Sequence, residues 1–220
     1  MRTISKWGTL ALSAMIVVLL TTNARADSFN LTVANANLAT QGAGPYATFT
    51  FTFTAMNGGG TDVSVTANGL NGFVFGDHEI IDLNLSSGAG TVSNFSGTGL
   101  TLATGSNQVD GFGNFNFILN DGNGFSSPYS SLSFSFDVSG TVSNSSQLLA
   151  SNGTASAAAH MALSTNTACT GYAGNGGTQG EGTVDNSACT STSVPDGGMT
   201  LMLLGGALIG LETVRRKFRV

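Results

Sequence analysis

The sequence predicts an all-β body, an antiparallel β-sandwich or jelly-roll-like fold, carried between a cleavable signal helix and a single C-terminal transmembrane helix. Three observations predict the body. Phe49, Phe51 and Phe53 alternate with Thr48, Thr50, Thr52 and Thr54, which puts rings on one face of a strand and hydroxyls on the other. Leu132, Phe134, Phe136 and Val138 repeat that pattern against Ser133, Ser135 and Asp137. Clusters such as Asn57-Gly58-Gly59-Gly60 and Asn120-Asp121-Gly122-Asn123-Gly124 punctuate the chain as turns do.

Taken in order, residues 1–26 read as a secretory signal. Arg2 and Lys6 give a positive start, Leu10 to Leu20 an apolar run, and Ala24-Arg25-Ala26 a small-x-small cleavage site, so the mature chain begins at Asp27. The body, 27–165, offers shorter strands at 29–33, 62–66, 72–75, 80–85, 91–95 and 112–119 beside the two long ones. Eight or so strands over about 135 residues suit a sandwich, and that length can bury one core. A β-helix is the weaker alternative, because no fixed-period repeat is visible. Ser145 to Leu149 reads as a single helical turn. Residues 157–163 stay open between helix, which their alanines favour, and a last strand carrying His160.

Residues 166–193 read as a Gly-rich segment and linker closed by a disulfide. Cys169 and Cys189 are the only cysteines, and both lie in the exported part, where pairing is the default. Charge is the other unusual feature. No Lys or Arg lies between 27 and 214, so residues 27–193, with ten carboxylates, carry a formal −10. Nucleic acid and anionic surfaces are poor partners for such a field.

Motifs for chemistry are scarce. There is no Gly-x-Ser-x-Gly elbow, no Ser-x-x-Lys, and no cation in the body to clamp a phosphate. Asp77, His78 and Glu79, with Asp82 close by, are weak metal candidates; a solvated polar edge beside the Gly76 turn is the preferred reading. His160 reads as a packing residue. The 120–124 turn has part of a calcium-loop pattern but lacks the downstream acid. The sequence therefore points away from an enzyme and asks for no cofactor. The unbroken, uncharged run from Ala47 to Met56 would invite strand addition between copies if it lay at a sheet edge.

The C-terminal stretch is the most specific. Val194-Pro195-Asp196-Gly197-Gly198 precedes an apolar helix over 199–214, and Arg215, Arg216, Lys217 and Arg219 follow. At 16 residues the helix spans about 24 Å against a hydrocarbon core of roughly 30 Å, which suits a temporary hold better than a permanent anchor. The basic cluster leaves the end in the cytoplasm. This three-part order resembles the PEP-CTERM sorting signal of Gram-negative bacteria, with Asp196 where Glu is usual and Gly197 in place of the second Pro, closer to the Val-Pro-Asp-Ser-Gly and Val-Pro-Asp-Gly-Gly variants. The resemblance implies cleavage near 194–198 by an exosortase and transfer of the body to the cell surface. A Gly-Gly tail cut by a rhomboid-type protease and a plain tail anchor are the alternatives. On this basis the chain is expected to be an exported structural or interaction protein of the cell surface or extracellular matrix. Its expected partners are exopolysaccharide or other surface copies. The second hypothesis is a carbohydrate-binding module, and the third, weaker, a secreted glycoside hydrolase.

Overall fold

The computed structural model describes residues 24–103 and 105–189. The sorting box at 194–198, the helix at 199–214, the basic cluster at 215–219 and most of the leader lie outside the described residues. In chain order the elements are β1 (Arg25–Leu31), β2 (Val33–Ala34), α1 (Ala36–Ala39), β3 (Ala47–Ala55), β4 (Thr61–Gly69), β5 (Phe73–Phe75), β6 (Ile81–Leu83), β7 (Val92–Gly97), β8 (Leu100–Ala103) and β9 (Asn107–Val109). Then come β10 (Gly113–Phe115), β11 (Phe117–Asp121), β12 (Ser131–Val138), α2 (Ser145–Leu148), β13 (Ala157–Leu163) and β14 (Asn166–Gly174).

Apart from β9 and β10, which pair only with each other, these strands build two antiparallel sheets. One runs β1-β3-β4-β12-β7; the other runs β2-β14-β13-β6-β11-β8, with β5 also paired to β13. Alternation explains the first. Phe51, Val65 and Phe134 stand side by side on β3, β4 and β12, as do Phe53, Val63 and Phe136, and all six are buried. On the other face, Thr50, Thr66 and Ser133 form one row and Thr52, Ser64 and Ser135 the next. A one-residue slip would reverse both faces, so burial fixes the register. The β3–β4 connection turns through Gly58, Gly59 and Gly60, all at positive φ, a region that side chains resist.

Both sheets contribute to one core. Phe49 of β3 meets Phe75 of β5 edge-on at 6.5 Å, and Phe117 of β11 meets Phe136 of β12 at 4.6 Å. The run Ala47 to Met56 is not at an edge, because β3 pairs with β1 on one side and β4 on the other; β1 and β7 are the outer strands of that sheet.

The single strand expected over 112–119 is instead two. Asn116 interrupts it by pairing its amide with the Leu85 backbone, accepting from Leu85 N at 2.7 Å and donating to Leu85 O at 2.9 Å. Upstream, Gly111 and Gly113 at positive φ turn the chain into the β9–β10 hairpin. This hairpin carries Phe112 and Phe115 onto the outer face of the second sheet, where they bury Val109, Ala155 and Ala158 with them.

That second layer settles residues 157–163 as a strand. Ala157, Ala159 and Met161 enter the shared core, while Ala158 faces the Phe112 cluster. With both faces covered, small side chains fit, and pairing to β14, β5 and β6 overrides the helical preference of alanine.

The chain beyond 165 is more ordered than its glycines suggest. Residues 166–174 form β14, in the sheet between β13 and β2. Residues 175–189 then fold back along α1 and β2. Gly180 N donates to Ala34 O, Ala36 N to Glu181 O, and Asn37 Nδ2 to Asp185 Oδ1 at 2.6 Å. Cys169 on β14 is joined to Cys189, and both are buried.

Candidate functional site

Titratable and ring-bearing side chains gather on the outer face of the second sheet. Asp82 sits at the centre of β6, between the core residues Ile81 and Leu83, and alternation turns its carboxylate away from the core. Its strand neighbours are Ile118 on β11 and Ala158 on β13. Two residues along β13 is His160, opposite Tyr172 on β14. The His160 and Tyr172 rings stack at 4.5 Å and 15°, and Phe125 closes edge-on against the imidazole at 5.3 Å.

The 76–80 loop supplies the acids. Asp77 and Glu79 adopt left-handed backbone, at φ 72° and 57°, on either side of His78. A residue as long as Glu is uncommon there, at a cost of about 1 kcal/mol. Polar contacts hold the conformation: Asp77 Oδ1 accepts from His78 N at 2.8 Å, and Asn120 Oδ1 accepts from Glu79 N at 2.9 Å. Glu79 is thereby aimed inward, where the Tyr172 hydroxyl donates to its Oε2 at 2.9 Å. His78 contributes its carbonyl, which lies 3.3 Å from His160 Nδ1.

Asp82 is fully buried, and neither of its oxygens has a hydrogen-bond partner. Burial, reinforced by the charge of Glu79, pushes its carboxyl well above the usual range and favours the protonated form. Burial likewise lowers His160, against the opposing pull of Asp77, and so favours neutral imidazole. Burial and then Glu79 raise the Tyr172 phenol, which stays protonated. Burial thus favours the neutral forms of Asp82, His160 and Tyr172 alike. Among the described residues no three His, Cys, Asp or Glu side chains are placed to share a metal ion; Asp77 turns back to the His78 N–H, and Glu79 to the Tyr172 hydroxyl.

Sequence reasoning placed Asp77, His78 and Glu79 near Asp82, but it did not bring in Tyr172, Phe125 or Asn120. Nor did it single out Asn35. That buried residue caps α1 by accepting from Leu38 N, accepts also from Tyr172 N, and donates to Asp110 Oδ2 at 2.9 Å. An Asn one residue before Ala-Asn-Leu-Ala was the available signal.

The first sheet presents a different surface. Its outer face is a lattice of Thr, Ser, Asn and Asp side chains, with a shallow depression lined by Ser64, Thr66, Ser96, Thr98, Ser133 and Ser135. Phe49, Phe51, Phe53, Phe134 and Phe136 all lie inside, so none of these five rings is free to stack on a sugar. At the front, Ala24 precedes β1, and Ala26 lies within β1 opposite Thr52. Among the described residues no helix is long and apolar enough to cross a membrane. No family model, curated protein or solved structure matches the chain.

Proposed function

We propose that the chain is exported, held briefly by its C-terminal helix, cut by an exosortase at Val194-Pro195-Asp196-Gly197-Gly198, and released to the cell surface or extracellular matrix as a non-catalytic structural or interaction protein. The observation that carries this reading is the division of residues on the strands. Rings fill the interior, whereas the outside is hydroxyl, amide and carboxylate with no Lys or Arg from 27 to 214. A jelly-roll-like β-sandwich of this kind is at home among cations and neutral polysaccharide and repels nucleic acid and anionic surfaces. The buried disulfide supports an oxidising destination.

Mass spectrometry of the protein recovered from its own cells, reading both termini, tests the proposal. Processing predicts a start at Asp27 and an end near Pro195 with added mass. A chain retaining Met1 and Val220 overturns it.

A further inference from the structure

A groove opens where β1 faces α2, the 149–156 segment and the start of the return at Asn175, and nothing in the surface reading above requires it. Its volume is about 430 Å³, within the usual range for small-ligand sites. Phe29, Ser145, Ser151, Thr154, Ser156 and Asn175 line it, and no charged side chain does. Phe29 is half-buried and lies nearly parallel to Phe49 at 5.8 Å and to Phe51 at 5.6 Å. Its ring is therefore braced by two core rings and needs no reordering to accept a ligand.

The polar wall is also fixed in place. Asn175 Oδ1 accepts from Ser156 N and Ala157 N, at 3.0 and 3.1 Å, and its amide donates to Ser156 Oγ at 2.8 Å. That bond uses Ser156 Oγ as an acceptor and leaves its proton to give. Ser151 Oγ likewise accepts from Gly153 N at 3.1 Å and keeps its proton. Asp27 stands behind the wall, where it takes the hydroxyl and backbone N–H of Ser145.

We propose that this groove is a subsite for a neutral hexose unit of a polysaccharide, with Phe29 as the stacking platform and the Ser156, Ser151 and Thr154 hydroxyls as the polar rim. An aromatic platform, neutral hydroxyl partners and one-sugar dimensions fit a pyranose, which has an apolar face and equatorial hydroxyls. An anionic sugar would meet no cation here and would face the acidic body. The proposal rests on the surface reading for its biological setting, but the binding itself does not depend on localisation.

The test is calorimetry of the purified full-length protein with neutral gluco-, manno- and galacto-hexasaccharides, and with a uronic-acid hexasaccharide as the anionic control. At least one neutral hexasaccharide should bind, with little dependence on salt, and the uronate should not. Phe29→Leu keeps an apolar side chain but removes the ring, and should weaken binding about five- to tenfold. Phe29→Tyr should retain it. Ser146→Phe alters an exposed residue of the groove and should block binding without touching the core. Failure of every neutral hexasaccharide to bind at millimolar concentration, or binding indifferent to Phe29→Leu and Ser146→Phe, overturns the subsite while leaving the surface reading to the terminal masses.

Discussion

Asp82 is the residue whose environment most contradicts its chemistry. Its folded-state pKa lies above the unfolded one, so its contribution is neutral below the unfolded pKa. Stability is then lost as pH rises from the ordinary carboxylate value near 4 towards the raised folded value, at about 1.4 kcal/mol per pH unit in that window. Asp82→Asn and Asp82→Leu should therefore melt higher than the parent at pH 8, with the advantage shrinking towards pH 4. Thermal melts at the two pH values check this. A loss larger at pH 8 than at pH 4 would mean that the charged form has a partner, and would overturn this account. Gly174 is constrained in a simpler way. A Cβ there would sit 2.5 Å from the Phe112 ring, so Gly174→Ala should cost roughly 1–3 kcal/mol in urea unfolding. The sequence drew notice to Asp82 only as a neighbour of Asp77, His78 and Glu79, and it showed neither its burial nor the constraint on Gly174, because these arise from β11 and β13 and from the β9–β10 hairpin.

At the scale of the element, β3 and β12 were legible from alternation alone, and the two faces of β3 should respond differently. Phe51→Ala removes a fully buried ring and should cost about 3–5 kcal/mol, whereas Thr50→Ala on the outer face should stay within about 0.5 kcal/mol. Denaturant titration of both variants measures the contrast. Where alternation is absent, the reading failed or stayed open. Residues 112–119 look like one apolar run until Asn116 is seen to pair with Leu85. Residues 157–163 stay open between helix and strand until both faces are seen to be covered. Residues 166–174 look like linker because glycine shows no pattern, yet Gly171 and Gly174 are small because Leu38 and Phe112 press against them.

At the scale of the whole molecule, the disulfide ties the return segment 175–189 to β14. Cys169→Ser with Cys189→Ser should cost roughly 3 kcal/mol in the chain-entropy account and should speed hydrogen exchange first in 175–189. The acidic body sets the pH profile. Asp27, held below the usual carboxylate range by the Ser145 hydroxyl and backbone N–H, stabilises above its unfolded pKa and loses that contribution as pH falls through its lowered value. Asp82 and mutual repulsion among ten carboxylates act in the opposite direction as pH rises. Melting temperature should therefore peak on the mildly acidic side of neutrality, and added salt should raise it at pH 8 by screening the repulsion. Melts across pH, with and without salt, report both effects.

The sequence by itself determined the β class, the two long strands with their inner and outer faces, the cysteine pairing and the charge, because each depends on local period, residue count or compartment. Tertiary structure decided which strand lies at an edge, why an alanine run is a strand, how Glu79, Asp82, His160 and Tyr172 meet, and where Phe29 is left open. Those outcomes depend on contacts between segments far apart in the chain, and no local pattern records them.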